Sequence, residues 1–218
     1  MSKITLEPND SGAGTFSIVS PDSNTNRTLT LPDESGILFS DGSGVPGSAV
    51  TGQLASSNMP AGCVIQVVNT IKTDTFSVSL SSRSVSSAIP GFSASITPTS
   101  ASSKILLMAS INGGSPAIVQ GFILTRNGSI VTEATGDAAG SRRRVTSGSF
   151  PTGSAGALQV PVTYLDAPNT TSQITYEFLI ANGANSTQPH YINRSDQDTD
   201  AASRFRATST ITVMEIAV

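Results

Sequence analysis

Apolar and polar residues alternate with a period of two in run after run from residue 63 to residue 218, and this limits the fold more than any other feature of the chain. Such alternation places successive side chains on opposite faces of a strand. The closing segment "FRATSTITVMEIAV" shows it best, with Phe205, Ala207, Ser209, Ile211, Val213 and Glu215 on one phase and Thr208, Thr210, Thr212, Met214 and Ile216 on the other. Both phases turn apolar toward its end, which predicts a central strand covered there on both faces. Before it come "CVIQVVNTI", "TFSVSL", "FSASITP", "KILLMASI", "AIVQGFILT", "SIVTEAT", "LQVPVTYLD" and "ITYEFLIA", separated by Gly, Asn, Pro and Ser clusters. Helical periodicity is nearly missing. Together these runs predict an all-β antiparallel sandwich, jelly-roll-like, of about eight to ten strands. Tyr164 and Tyr176 stand inside strong strands and are expected to pack in its core.

Charge is unusually scarce. Only 12% of residues are charged, against 35 Ser and 25 Thr, and the stretches 42–71, 105–125 and 145–165 carry no charge at all. Soluble monomers ordinarily dress their surfaces with Lys and Glu, so uncharged runs of this length point to surfaces buried in an assembly. The net charge of −3 and the lack of an extended basic stripe argue against nucleic acid. The opening "MSKITLEPND" has no apolar core of the signal-peptide kind, and no apolar run approaches a membrane span, so no membrane insertion is expected. The six Asn-x-Ser/Thr sequons are then chance products of the composition. With one cysteine, Cys63, an intrachain disulfide framework is excluded.

Two further zones precede residue 63. Residues 1–41 hold short alternating pieces, "KITL", "TFSIV", "RTLTL" and "GILF", each near the lower limit for a strand and too small a set to close a core alone. They need strands from other chains, as when three copies bury a shared interior. In "RTLTLPDESGILF", Pro32 ends one strand and Gly36 permits the turn, with Asp33 and Glu34 as turn residues. Leu29, Leu31, Ile37 and Leu38 are expected to face an interior shared by several chains. Residues 42–62, "GSGVPGSAVTGQLASSNMPAG", read as a flexible linker by composition. Alternatively they form an ordered neck, because Val45, Val50, Leu54 and Met59 recur at intervals that would let three copies meet on an axis.

The opening "TFSIVSPDSNTNRTLTLPDESGILF" resembles short repeats of bacteriophage tail fibres and related virion proteins, particularly those of phages of cyanobacteria and marine bacteria. "MPAGCVIQVVNTIKTDTFSVS", "SITPTSASSKILLMASINGG" and "TSTITVMEIAV" are similar to distal domains of the same proteins. The resemblance implies a homotrimer located in the virion and made in the bacterial host's cytoplasm. Its N-terminal region would dock on other virion proteins of the baseplate, tail or capsid. Its outward β-domain would contact a host surface glycan or protein. The chain is much shorter than long tail fibres, so a capsid decoration or head-fibre protein is the alternative. The implied role is structural, and no cofactor is expected.

Candidate chemistry is sparse. Asp196, Asp198 and Asp200 in "DQDTD" have the alternating spacing that opens a calcium loop, but Ala201 stands where that loop needs Gly and Ala207 where it needs Glu. They are a weak metal candidate beside the plainer reading of a solvated acidic loop. Arg142, Arg143 and Arg144 are the densest positive charge, suited to phosphate or carboxylate of a bacterial surface polysaccharide, or to acidic residues across a subunit interface. Tyr191, in the loop-like "STQPHYINRS", is a candidate surface contact together with Asn193 and Arg194. Partners in a Cys–His or Ser–His pair meet only in the fold, and that alternative stays open for Cys63 and His190, although no "GxSxG" elbow surrounds any serine. Parallel β-helix repeats of the sort that carry depolymerase carboxylates are missing, and no enzymatic activity is expected.

A direct consequence of the shared-interior reading is that Leu31→Asp prevents assembly. Light scattering of the purified variant should then show monomer; a native oligomer would show that the "TLPDESG" stretch has been misread.

Overall fold

The computed structural model describes residues 59–116, 119–149 and 157–218, together with Asn24 and Asn26. The shaft and neck expectations at Leu29, Leu31, Ile37, Leu38, Val45, Val50 and Leu54 lie outside the described residues. The described chain forms β1 (Val64–Lys72), β2 (Phe76–Leu80), β3 (Val85–Ile96), β4 (Lys104–Gly114), β5 (Gln120–Arg126) and β6 (Ser129–Ile130). After a short 3-10 turn at Thr132–Ala134 follow β7 (Ser147–Ser149), β8 (Ala157–Asp166), β9 (Ile174–Asn182), β10 (Gln188–Ile192) and β11 (Ser209–Ile216).

All strand pairs are antiparallel, and they nest. β1 pairs β11 and β2 pairs β10, then β3 pairs β9, β4 pairs β8, and β5 pairs β7. Residues 64–216 thus form one long hairpin whose arms fold over together, its β1/β11 and β2/β10 portions lying in one sheet and the β3/β9, β4/β8 and β5/β7 portions then alternating between the two. Sheet A holds β8, then β4, then β11 and β10 end to end against β4, with β1 and β2 flanking them. Sheet B runs β3, β9, β5, with β6 and β7 both pairing β5. This nested connectivity is that of a jelly roll, and it confirms the sandwich expected from alternation.

Local chemistry explains the irregular places. β3 breaks register between Ala88 and Ser93, where Pro90 lacks a donor and Gly91 takes φ +68. "SIVTEAT", expected as a strand, stays extended only through Ile130 and then turns at Thr132–Ala134, with Ala134 N–H bonding Val131 O at 3.1 Å. "STQPHYINRS", expected as loop, contains β10, so Tyr191 is a strand residue paired with Ser77. β11 is central, as predicted, but its second phase is only half-buried.

Between the sheets lie Ile105, Leu107 and Ile111 of β4 and Ile211 and Val213 of β11, facing Phe92, Ile96, Tyr176, Phe178 and Ile180 of sheet B. Phe92 and Phe178 meet at 5.9 Å between ring centroids. Each fully buried aliphatic or aromatic side chain of this kind contributes about 1.5–3 kcal/mol relative to exposure.

Buried polar groups tie the corners. Asp166, at the end of β8, accepts two bonds from Arg126 Nη1, at 2.9 and 2.8 Å, and one from the Tyr176 hydroxyl at 2.6 Å. Arg126 and Tyr176 are register neighbours in sheet B, so the carboxylate clamps one sheet to the other. Burial pushes the Tyr176 phenol well above its ordinary range, and donation to Asp166 pushes it further. Glu215 is fully buried. Burial alone would raise its pKa, but bonds from Gln66, Ser103 and Thr99, including the Thr99 N–H at 2.7 Å, outweigh that and leave it below the ordinary 4.5. Asn182 Nδ2 donates to Leu80 O, Ser81 O and Ser186 O at 2.9–3.0 Å, closing the corner between β9 and β10.

His190 points into the sandwich, fully buried, and neither ring nitrogen has a hydrogen-bond partner among the described residues. Burial without a partner lowers its pKa from 6.5 to about 4.

Two measurements test this polar framework. Asp166→Ala leaves a buried phenol unpaired and Arg126 without its partner, and is expected to cost about 2–4 kcal/mol in urea unfolding, with Tyr176→Phe costing less. For His190, the folded state holds the neutral ring while the unfolded chain takes a proton below pH 6.5, so stability is lost as pH falls from 6.5 toward about 4. The slope should approach about 1.4 kcal/mol per pH unit and vanish between pH 6.5 and 4.5 in His190→Leu. An unchanged slope in that variant would place the titrating group elsewhere.

Candidate functional site

Two surfaces stand out, one on the outer side of each sheet. β5 is buried along nearly its whole length because the segment 131–146 lies across the outer face of sheet B. Its anchor is Val145, packed so closely on β5 that a Cβ at Gly121 would come within 2.6 Å of Val145 Cγ1. Thr146 continues the attachment, its N–H bonding Phe122 O at 2.8 Å and its hydroxyl accepting from Leu124 N at 2.9 Å. Between this segment and the sheet is a cleft of about 930 Å³. Ile123, Ile130, Val145 and Ala181 supply apolar lining, Thr132, Thr135, Ser141 and Thr146 supply hydroxyls, and Arg83, Arg142, Arg143 and Arg144 supply charge.

The arginines are held rather than loose. Arg144 donates through Nε to Gly136 O and through Nη2 to Thr132 O at 3.2 Å. Arg143 donates to Arg83 O, Arg142 to Ala139 O at 3.4 Å, and Arg83 through Nε to Asn185 Oδ1 at 2.8 Å. Each keeps further N–H donors uncommitted. None of the four meets a carboxylate among the described residues, although Glu133 and Asp137 lie on the same segment. Arg83 was not singled out by sequence reasoning. It sits in the turn from β2 to β3 with φ +54, a left-handed conformation that glycine adopts more cheaply.

On the other side, register builds the outer face of sheet A row by row. Val67, Met214, Leu106 and Leu165 form one apolar row across β1, β11, β4 and β8. The next row is Asn69, Thr212, Met108 and Thr163, and the next Ile71, Thr210, Ser110 and Pro161. No residue in these rows is charged. Val67, Ile71, Met108 and Leu165 are each 45–58% exposed, a large apolar presentation for a surface. The uncharged sequence runs therefore converge here, since β1, β4 and β8 fall almost wholly within them.

The remaining sequence candidates are placed as follows. Arg142, Arg143 and Arg144 do share one cleft. Asn193 is fully buried, with Nδ2 donating to Lys72 O and Asp74 O at 2.9 Å and Oδ1 accepting from Ser209 Oγ at 2.7 Å. It closes a corner between β1 and β2, and burial removes it from any surface contact. Tyr191 is half-buried under the Arg194 guanidinium, 4.1 Å from its ring centroid. Asp198 is taken by two cations, Arg194 and Arg206, each at 2.7 Å. Asp196 bonds the Gln197 N–H, and no group of three acids, His or Cys close enough to hold a metal occurs among the described residues. Met59 lines a small hollow with Ile65, Thr99 and Val218. Cys63 is half-buried at the start of β1, and the buried His190 is bonded to no serine or cysteine among the described residues.

No protein-family model matches the chain, and no curated protein matches it. Among solved structures, the D431N mutant VP2 protein of infectious bursal disease virus in derived T=1 particles is similar at 14% identity and a TM-score of 0.38, over 77% of this chain and 41% of that one. The structure of the infectious bursal disease virus Gx strain is similar at 12% identity and a TM-score of 0.36, over 78% of this chain and 43% of that one. This chain spans less than half the length of either. A likeness of that degree carries no functional argument, so function rests on the chain's own surfaces.

Proposed function

We propose that this chain is a structural, non-enzymatic virion component that works as a homo-oligomer, a trimeric fibre whose sandwich is presented outward for recognition of a host surface. The observation that carries the reading is the three uncharged rows at the centre of the outer face of sheet A, with Lys104 at their margin. Rows made of apolar residues and of Asn, Thr and Ser have no charge to desolvate and none to repel a second copy of themselves. Their natural occupant is therefore the same face, or a neighbouring part, of another copy. The exposed Val64, Val67 and Ile71 belong to β1, which directly follows the 42–62 segment where an axial neck is proposed. The resemblance of residues 15–39 to fibre repeats supports the proposed 1–41 shaft docked on other virion proteins. The same surfaces would serve a capsid decoration or head-fibre protein. Antibody labelling of intact particles separates the two, by signal at the tail or over the shell.

Met108 lies within the uncharged face, flanked by Thr212 and Thr163. Met108→Lys is expected to leave folding stability within about 0.5 kcal/mol while reducing the mass in solution from trimer to monomer. A monomeric wild-type protein, or a variant that keeps the wild-type mass, would overturn the assembly reading.

A further inference from the structure

We infer that the cleft over sheet B binds an acidic saccharide, with Arg83, Arg142, Arg143 and Arg144 taking its carboxylate or phosphate groups. This gives chemistry to the recognition role proposed above and rests on that role only for the choice of a saccharide. The cleft gathers four cations, a third of the chain's 12 Lys and Arg residues, with no carboxylate paired to any of them among the described residues. Four guanidinium groups held around one cavity repel each other, and an anion relieves that repulsion. Arg142, Arg143 and Arg144 each bond a backbone carbonyl and Arg83 bonds Asn185 Oδ1, which restricts the four side chains and lowers the freedom lost when a ligand arrives.

Arg83 adds an independent observation. A turn that would be easier with glycine instead carries a cation at the rim of the cleft, where its side chain bonds Asn185 and its carbonyl receives Arg143. Backbone strain kept at such a place fits a functional demand on the side chain. The rest of the lining selects among anions. Threonine and serine hydroxyls suit a polyhydroxylated ligand, and none of the described lining residues is an aromatic on which a nucleobase would stack. The cavity, about 930 Å³, has the size of sites that enclose a small organic ligand.

The test uses the full chain. Calorimetric titrations are run with an oligouronate, with a neutral oligosaccharide of equal length, and with inorganic phosphate as competitor. The oligouronate should bind saturably and weaken by about tenfold when ionic strength is raised from low to physiological, while the neutral oligosaccharide should not bind. Displacement by phosphate assigns the site to phosphate-bearing as well as carboxylate-bearing glycans; lack of displacement assigns it to carboxylates. Arg142→Gln and Arg83→Gly should each weaken binding by about five- to tenfold. Because glycine suits the left-handed turn, Arg83→Gly should melt at the same or a higher temperature than the parent, which separates lost charge from lost fold. Absence of saturable oligouronate binding, equal binding of the neutral oligosaccharide, or unchanged affinity in both folded variants would overturn the inference. Mass measured on the same samples keeps the two readings apart: an intact oligomer that binds no anion sinks only the cleft, and a monomer that binds sinks only the assembly.

Discussion

The pairing of the first described strand with the last holds this sandwich together. β11 is hydrogen-bonded on one side to β1 and on the other to β4, in unbroken register from Thr210 to Met214. Without it sheet A is two separate pieces, and the inner side chains Ile211 and Val213 leave a gap opposite sheet B. Every other pairing is nested inside that one, so the ends of the long hairpin must meet across well over a hundred residues. Loop-closure entropy opposes such contacts until many form together, and a fold of this kind forms slowly and cooperatively. The corner bonds of Asn182 and Asn193 make sense in that setting, because each fixes a bend at which the hairpin changes direction.

Charge is distributed with an economy that separates holding the fold from meeting other molecules. Asp166 and Glu215 are consumed inside, Asp198 is shared by two arginines, and the buried Lys72 ammonium reaches Asp74 at 2.7 Å. Little is left for the outer side of sheet A, whose three central rows are bare of charge and whose one cation on this phase of β4, Lys104, stands at the end of the strand. The cleft on sheet B is the opposite case, with cations and no carboxylate paired to them among the described residues. One side of the sandwich thus avoids electrostatics and the other concentrates it.

Most of the sheet structure was legible in the sequence, since β1, β4, β8, β9 and β11 alternate cleanly over eight or more residues. The misses have local causes. β7 is three residues of Ser and Gly, and β10 holds Pro189 and His190, so neither shows a period of two above the noise. Ser129–Ala134 alternates well enough to resemble a strand, but the 3-10 turn ends its pairing with β5 after Ile130. Of the candidate site, the Arg142–Arg144 cluster could be read directly, whereas Arg83 comes from a different turn and only the topology brings it alongside. Asn193 shows the reverse failure. Its polarity suggested a surface, yet a carboxamide that caps two carbonyls and accepts a hydroxyl is more useful buried.

The clamp between Tyr176 and Asp166 also makes the protein its own optical gauge. The chain has three tyrosines and no tryptophan, so its near-ultraviolet emission comes from tyrosine alone. Tyr176 is completely buried, and its hydroxyl donates to a carboxylate, a contact that drains the excited state of a phenol. As the sheets part, that quenching partner is withdrawn and the emission of this residue rises. Closure of sheet A on sheet B can therefore be watched in the unlabelled protein, at the point where the two sheets are joined by charge.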